Sequence, residues 1–83
     1  MSEKLISVNV ETMDGEQVPV RVNLENKVEK LMREAAKELG IDADIRLYDL
    51  TYDGQRQDPD VKIEDTPIRD GSLVRLERRP RVG

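Results

Sequence analysis

The sequence predicts a two-layer α+β domain, a mixed sheet of four to five strands packed on one amphipathic helix. Three observations predict it. Two alternating apolar segments flank an Asp-Gly turn, a helix with a single apolar face follows, and a last alternating strand closes the pattern. One helix covers one face of a sheet, so the elements form two layers. At 83 residues the chain has room for one core.

Each element has a local signature. Ile6, Val8 and Val10 alternate with Ser7 and Asn9, and Val18, Val20 and Val22 alternate with Pro19 and Arg21. A period of two marks half-buried strands. Asp14-Gly15 between them signals an antiparallel connection. Pro19 has no N–H to donate, which suits an outward position on an edge strand. Val28, Leu31, Met32, Ala35, Ala36 and Leu39 then trace the i, i+3, i+4, i+7 spacing of one helix face. Asn26 and Glu29 stand where a capping box places its N-cap and N3 residues. Gly40-Ile41 supplies the left-handed exit and apolar contact of a Schellman end.

Residues 45–50 alternate again and predict a third strand. Residues 51–54 (Thr-Tyr-Asp-Gly) read as a turn, and 55–57 as a short polar strand ended by Pro59. Ile63 and Ile68 flank a short turn or 3₁₀ segment that plugs one end of the core. After Asp70-Gly71, residues 72–77 form the last strand, with Val74 and Leu76 inward. The domain is expected to occupy residues 1–77, and residues 78–83 to form a flexible C-terminal tail.

Composition excludes several functions. With no Cys and no His, thiol nucleophiles, thiolate metal sites and the usual general base are absent. A net charge of −4, with two Tyr and no Phe or Trp, argues against nucleic acid as a partner. No apolar run approaches the ~20 residues of a membrane span, and no signal peptide is apparent. The expectation is a soluble, cytoplasmic, monomeric protein with no cofactor, no metal, no membrane contact and no enzymatic activity.

The charge is uneven. Arg75, Arg78, Arg79 and Arg81 place four of the nine arginines near the end, where their potential can steer an acidic partner surface. The tail ends Arg78-Arg79-Pro80-Arg81-Val82-Gly83. Glycine has no Cβ, so its carboxylate can enter a narrow enzyme channel.

These residues together resemble ubiquitin and the ubiquitin-like β-grasp proteins. Anchored on Asp14-Gly15, the first hairpin and the helix align with ubiquitin without a gap, through the Gly40-Ile41 exit. Anchored on Tyr52-Asp53-Gly54, the rest aligns to Gly83, which falls on ubiquitin's terminal glycine. The halves are offset by two residues, which lie in the hairpin of the third strand.

The resemblance implies a β-grasp fold and a protein modifier whose Gly83 carboxylate is activated with ATP and passed through thioesters to target amines. Arg78, Arg79, Pro80, Arg81 and Val82 would then form the tail that the enzymes recognise. The implied partners are an activating enzyme, a conjugating enzyme, an isopeptidase and target proteins, as in the divergent ubiquitin-like pathways of bacteria. Lys4, Lys27, Lys30, Lys37 and Lys62 are the side-chain acceptors, because ubiquitin's main chain-linking lysines fall on Gln55 and Asp70.

Ubiquitin's apolar receptor patch is altered. Met13 falls on its leucine, Glu77 on its valine, and its isoleucine falls on Thr51, Asp49 or Tyr48. Met13, Tyr48, Thr51 and Glu77 are therefore the candidate protein-binding surface. A glutamate there would need a partner when desolvated, so ordinary ubiquitin receptors are not expected to bind. The resemblance also admits a non-conjugated binding module, such as a secretion-system accessory or an adaptor. A sulfur carrier is a third reading, against which Val82 counts because such carriers end in Gly-Gly.

Two other patterns are weaker. Residues 49–60 carry acids at the first, fifth and twelfth positions and Gly at the sixth, like a calcium loop. Strand patterns flank them where helices are required, so the hairpin reading is preferred. The pairs Asp42/Asp44 and Glu64/Asp65 read as solvated surface in a chain that is 39% charged.

Overall fold

A computed structural model describes residues 4–41 and 44–79. Strand β1 (Leu5–Thr12) turns into β2 (Gln17–Asn23). Helix α1 (Val28–Leu39) follows, then a 3₁₀ turn (Ile45–Leu47), β3 (Tyr48–Tyr52) and β4 (Gln55–Gln57). A second 3₁₀ turn (Ile63–Asp65) precedes β5 (Leu73–Arg78). The five strands form one sheet in the order β2-β1-β5-β3-β4. β5 lies parallel to β1 and antiparallel to β3, which makes the sheet mixed.

The inward side chains are those the alternation selects. Val8, Val10, Val20, Val22, Leu50, Val74 and Leu76 meet Val28, Leu31, Met32 and Ala35 of the helix, all buried. Ile63 and Ile68, both fully buried, close the end of this core. The Thr66 hydroxyl between them donates to the Ile63 carbonyl (2.6 Å) and accepts from the Ile68 N–H (3.2 Å). Val18 and Leu39 are only half-buried, at the rim.

The helix exit is the one the sequence predicts. Gly40 is left-handed (φ 68°, ψ 27°), and the Ile41 N–H returns to the Ala36 carbonyl (3.0 Å) while Gly40 bonds Lys37 (3.3 Å). This pair of bonds is a Schellman motif. The β3–β4 turn places Asp53 and Gly54 both at positive φ (52° and 79°), as a tight two-residue hairpin demands.

The predicted elements shift in four places. The helix N-cap is Lys27 rather than Asn26, and no side chain caps it. Asn26 Oδ1 accepts instead from the Asn23 N–H (3.0 Å), fastening the end of β2. Backbone carbonyls fill the vacant role: Val28 and Glu29 donate to Val61 and Pro59 (2.9 and 3.0 Å). The third strand starts at Tyr48, not Ile45. Asp44 accepts from the Arg46 N–H (3.1 Å) and pairs with its guanidinium, which curls residues 45–47 into a 3₁₀ turn. Thr51 and Tyr52 belong to β3 rather than to the turn. The last strand runs from Leu73 to Arg78, one residue beyond the expected end.

A candidate protein-binding surface and the base of the tail

The strands present a second face, away from the helix. The register sets Gln17, Glu11, Arg75, Thr51 and Arg56 side by side across all five strands. Gln17 donates to Glu11 (3.2 Å), and Arg75 approaches the same carboxylate (3.9 Å). Leu73 stands among these polar neighbours, 48% exposed.

Beside this row, Asp49 and Glu77 face each other on β3 and β5. Like charges directly opposite are unfavourable, and each carboxylate has its own partner. Glu77 accepts from the Thr51 hydroxyl (3.1 Å). Asp49 Oδ1 accepts from Arg56 Nε (2.9 Å) and Arg79 Nε (2.8 Å). Burial by itself would raise the Asp49 carboxyl. The hydrogen bonds from Arg79 and Arg56, with their charges, outweigh it and hold the group below its ordinary value.

The four candidate surface residues do not form one patch. Thr51 and Glu77 lie together on the outer face, half-buried and joined to each other. Tyr48 is three residues from Thr51 in the same strand, so the pleat turns it to the helix side, where it packs against the core. There it lines a small groove with Met13, Ile41 and Leu76. Met13 is 61% exposed at the hairpin tip. The outer face therefore keeps only the polar half of the predicted set.

The tail residues divide in the same way. Arg78 is the last residue of β5, paired with Tyr48, and borders the Met13 groove. Arg79 is fixed twice: its N–H donates to the Leu47 carbonyl (2.8 Å) and its guanidinium holds Asp49. Arg78 is part of the sheet, because the β3–β5 ladder continues past Glu77, and Arg79, one residue beyond the strand, is tied back to it. Pro80, Arg81, Val82 and Gly83 lie outside the described residues. Asp49 and Arg56 are the contributors that sequence reading did not assign to the tail.

Among the described residues no group of carboxylates could hold a metal ion, and the calcium-like stretch is the β3–β4 hairpin. No helix among them is long and apolar enough to cross a membrane.

Residues 6–76 match the ubiquitin-2 like Rad60 SUMO-like family. The chain belongs to that family. This ubiquitin-like, SUMO-like membership spans the whole sheet and helix, from Ile6 to Leu76, and domains of this kind are generally non-catalytic. Among curated protein sequences, none matches the chain. Solved structures share its fold. One, described as "Molecular Mimicry of SUMO promotes DNA repair", is similar at 21% identity and a TM-score of 0.82, covering 92% of this chain and 94% of its own. Another, a design based on ubiquitin, is similar at 20% identity and a TM-score of 0.83, covering 99% of both chains. Both likenesses establish the β-grasp architecture of this SUMO-like domain, and a fold shared this widely does not select a function.

Proposed function

We propose that this ubiquitin-like domain is a protein modifier, attached to targets through the carboxyl group of Gly83. The observation that supports the reading is the anchoring of Arg79. The sheet holds the chain firmly up to that residue, and the glycine stands four residues further on. Four residues span at most about 14 Å, the kind of reach a narrow active-site channel requires. In the first step the carboxylate attacks the α-phosphorus of ATP and releases pyrophosphate. A thiol of the activating enzyme then displaces AMP, and the thioester passes to a conjugating enzyme. A target amine finally displaces that thiol and forms an amide. The domain supplies no catalytic group: Arg78 and Arg79 mark the base of the tail, Pro80, Arg81 and Val82 fill the channel, and Gly83 reacts. The reading holds whether Gly83 closes the chain or is exposed by cleavage. It places the protein in the cytoplasm, with an activating enzyme, a conjugating enzyme and an isopeptidase as partners.

A second reading is a non-covalent module that acts in place of a modifier. The outer face, with Leu73 exposed among charged residues, supports it.

Intact-mass analysis of the protein isolated from its native cells separates the two. The modifier predicts adducts of target plus domain joined at Gly83. They should vanish when Gly83 is deleted, with thermal unfolding unchanged. Adducts that persist without Gly83 rule out this linkage, and an absence of adducts from the intact chain leaves the non-covalent module.

A further inference from the structure

Every open sheet has two edges, and an exposed edge is where an extended peptide adds a strand. In this domain the edges are β2 and β4. The β2 edge is long enough to serve, with seven residues. Its hydrogen-bonding direction follows from the hairpin. Thr12 N–H donates to the Glu16 carbonyl and Leu24 N–H to the Lys4 carbonyl. Even-numbered positions of β2 thus point their polar groups at β1, and Gln17, Pro19 and Arg21 point theirs at the free edge, while the backbone groups of Asn23 are taken by Asn26.

Pro19 sits in the middle of that outward set. It offers no N–H, and its ring stands where an incoming strand would bring a carbonyl. The recess between β2 and α1 is lined by Pro19, Val20, Arg21, Glu34 and Glu38. Val20 is 2% exposed, so an added strand would meet charged groups there rather than an apolar pocket. The other edge, β4, has three residues, and the chain then leaves through Pro59 to bond the start of α1.

We propose that Pro19 is a specificity-determining residue that closes β2 to extended peptides. Partners are thereby confined to those that read side chains on the faces of the domain. The inference does not depend on the tail and holds for a modifier or a non-covalent module alike. A peptide strand laid on β2 would leave one acceptor unpaired, which weakens binding about 5- to 150-fold.

The test uses a lysine-flanked peptide of alternating valine and threonine, whose charge suits Glu34 and Glu38. It is titrated into the ¹⁵N-labelled protein and into the Pro19→Val and Pro19→Ala variants, with thermal unfolding confirming that each variant folds. The expected result is no saturable shift at the Gln17 and Arg21 amides of the parent. In at least one variant the shifts should saturate, with affinity at least fivefold tighter. Binding of the parent at β2 as tightly as the variants would overturn the proposal. Failure of both folded variants to bind would also overturn it, because something other than Pro19 then closes the edge.

Discussion

Replacing Asp49 with alanine removes the acceptor that Arg56 and Arg79 share. Exposed ion pairs contribute about 0.2–1 kcal/mol each. Asp49 also stands opposite Glu77, and a like-charge pairing of this kind costs a similar amount. The two effects offset each other in the whole molecule, so urea unfolding should change by less than ~1 kcal/mol. They do not offset at Arg79, because Glu77 is bonded to Thr51. Losing that one pair raises the opened population of the strand end about 1.4- to 5-fold. Trypsin reports this directly. The Arg79–Pro80 bond resists it because proline follows, and cleavage after Arg78 requires the β3–β5 ladder to open. Followed by mass spectrometry, cleavage after Arg78 in Asp49→Ala should accelerate by that factor relative to cleavage after Arg33 in α1. An unchanged ratio would refute the anchoring argument. Acid reaches the same state. The folded carboxyl titrates below its unfolded value of about 3.9. The tie is therefore complete above that pH and is lost as pH falls through the lower folded value. Loss of anchoring between pH 5 and 7 would contradict the assignment.

Other substitutions test the frame. Gly40→Ala should cost about 1–2 kcal/mol, because the residue is left-handed. No atom beyond its own chain neighbours lies within 4 Å of the added Cβ, so the cost is all local backbone, and Gly40→Asn should recover part of it in urea unfolding. Leu50→Ala, at a fully buried site of the central sheet, should cost about 2–5 kcal/mol and leave little cooperative thermal transition. Thr66→Val removes a hydroxyl that serves Ile63 and Ile68. It should cost about 1–3 kcal/mol despite its matching shape, and a neutral result would show that water replaces those bonds.

The core was legible because its physics is local. Alternation selected Val8, Val10, Val20, Val22, Val74 and Leu76, and Gly40 announced its own backbone. What escaped reading depends on distant chain. Asn26 has the right spacing for a cap, but carbonyls at positions 59 and 61 come to α1 from another loop and leave its side chain to Asn23. Ile45 and Leu47 alternate as a strand would, yet the Asp44 carboxylate bends them into a 3₁₀ turn. The separation of Tyr48 from Thr51 was available from parity once Leu50 was taken as inward. The Asp49 tie was not, because it needs the register of β3, β4 and the end of β5 together.

The strand order also has a consequence during synthesis. β5 is the last strand of this sheet to be made and takes its middle, between β1 and β3. The hairpin and helix must wait for the 39 residues that follow Leu39, through Arg78, about 2–8 s at usual rates of translation. Throughout that interval the β1 valines have a neighbour on one side alone, and β3 has only its short hairpin partner. A nascent chain halted before β5 yields an unfinished sheet with an open centre rather than a smaller folded unit, and that interval is its greatest exposure to aggregation.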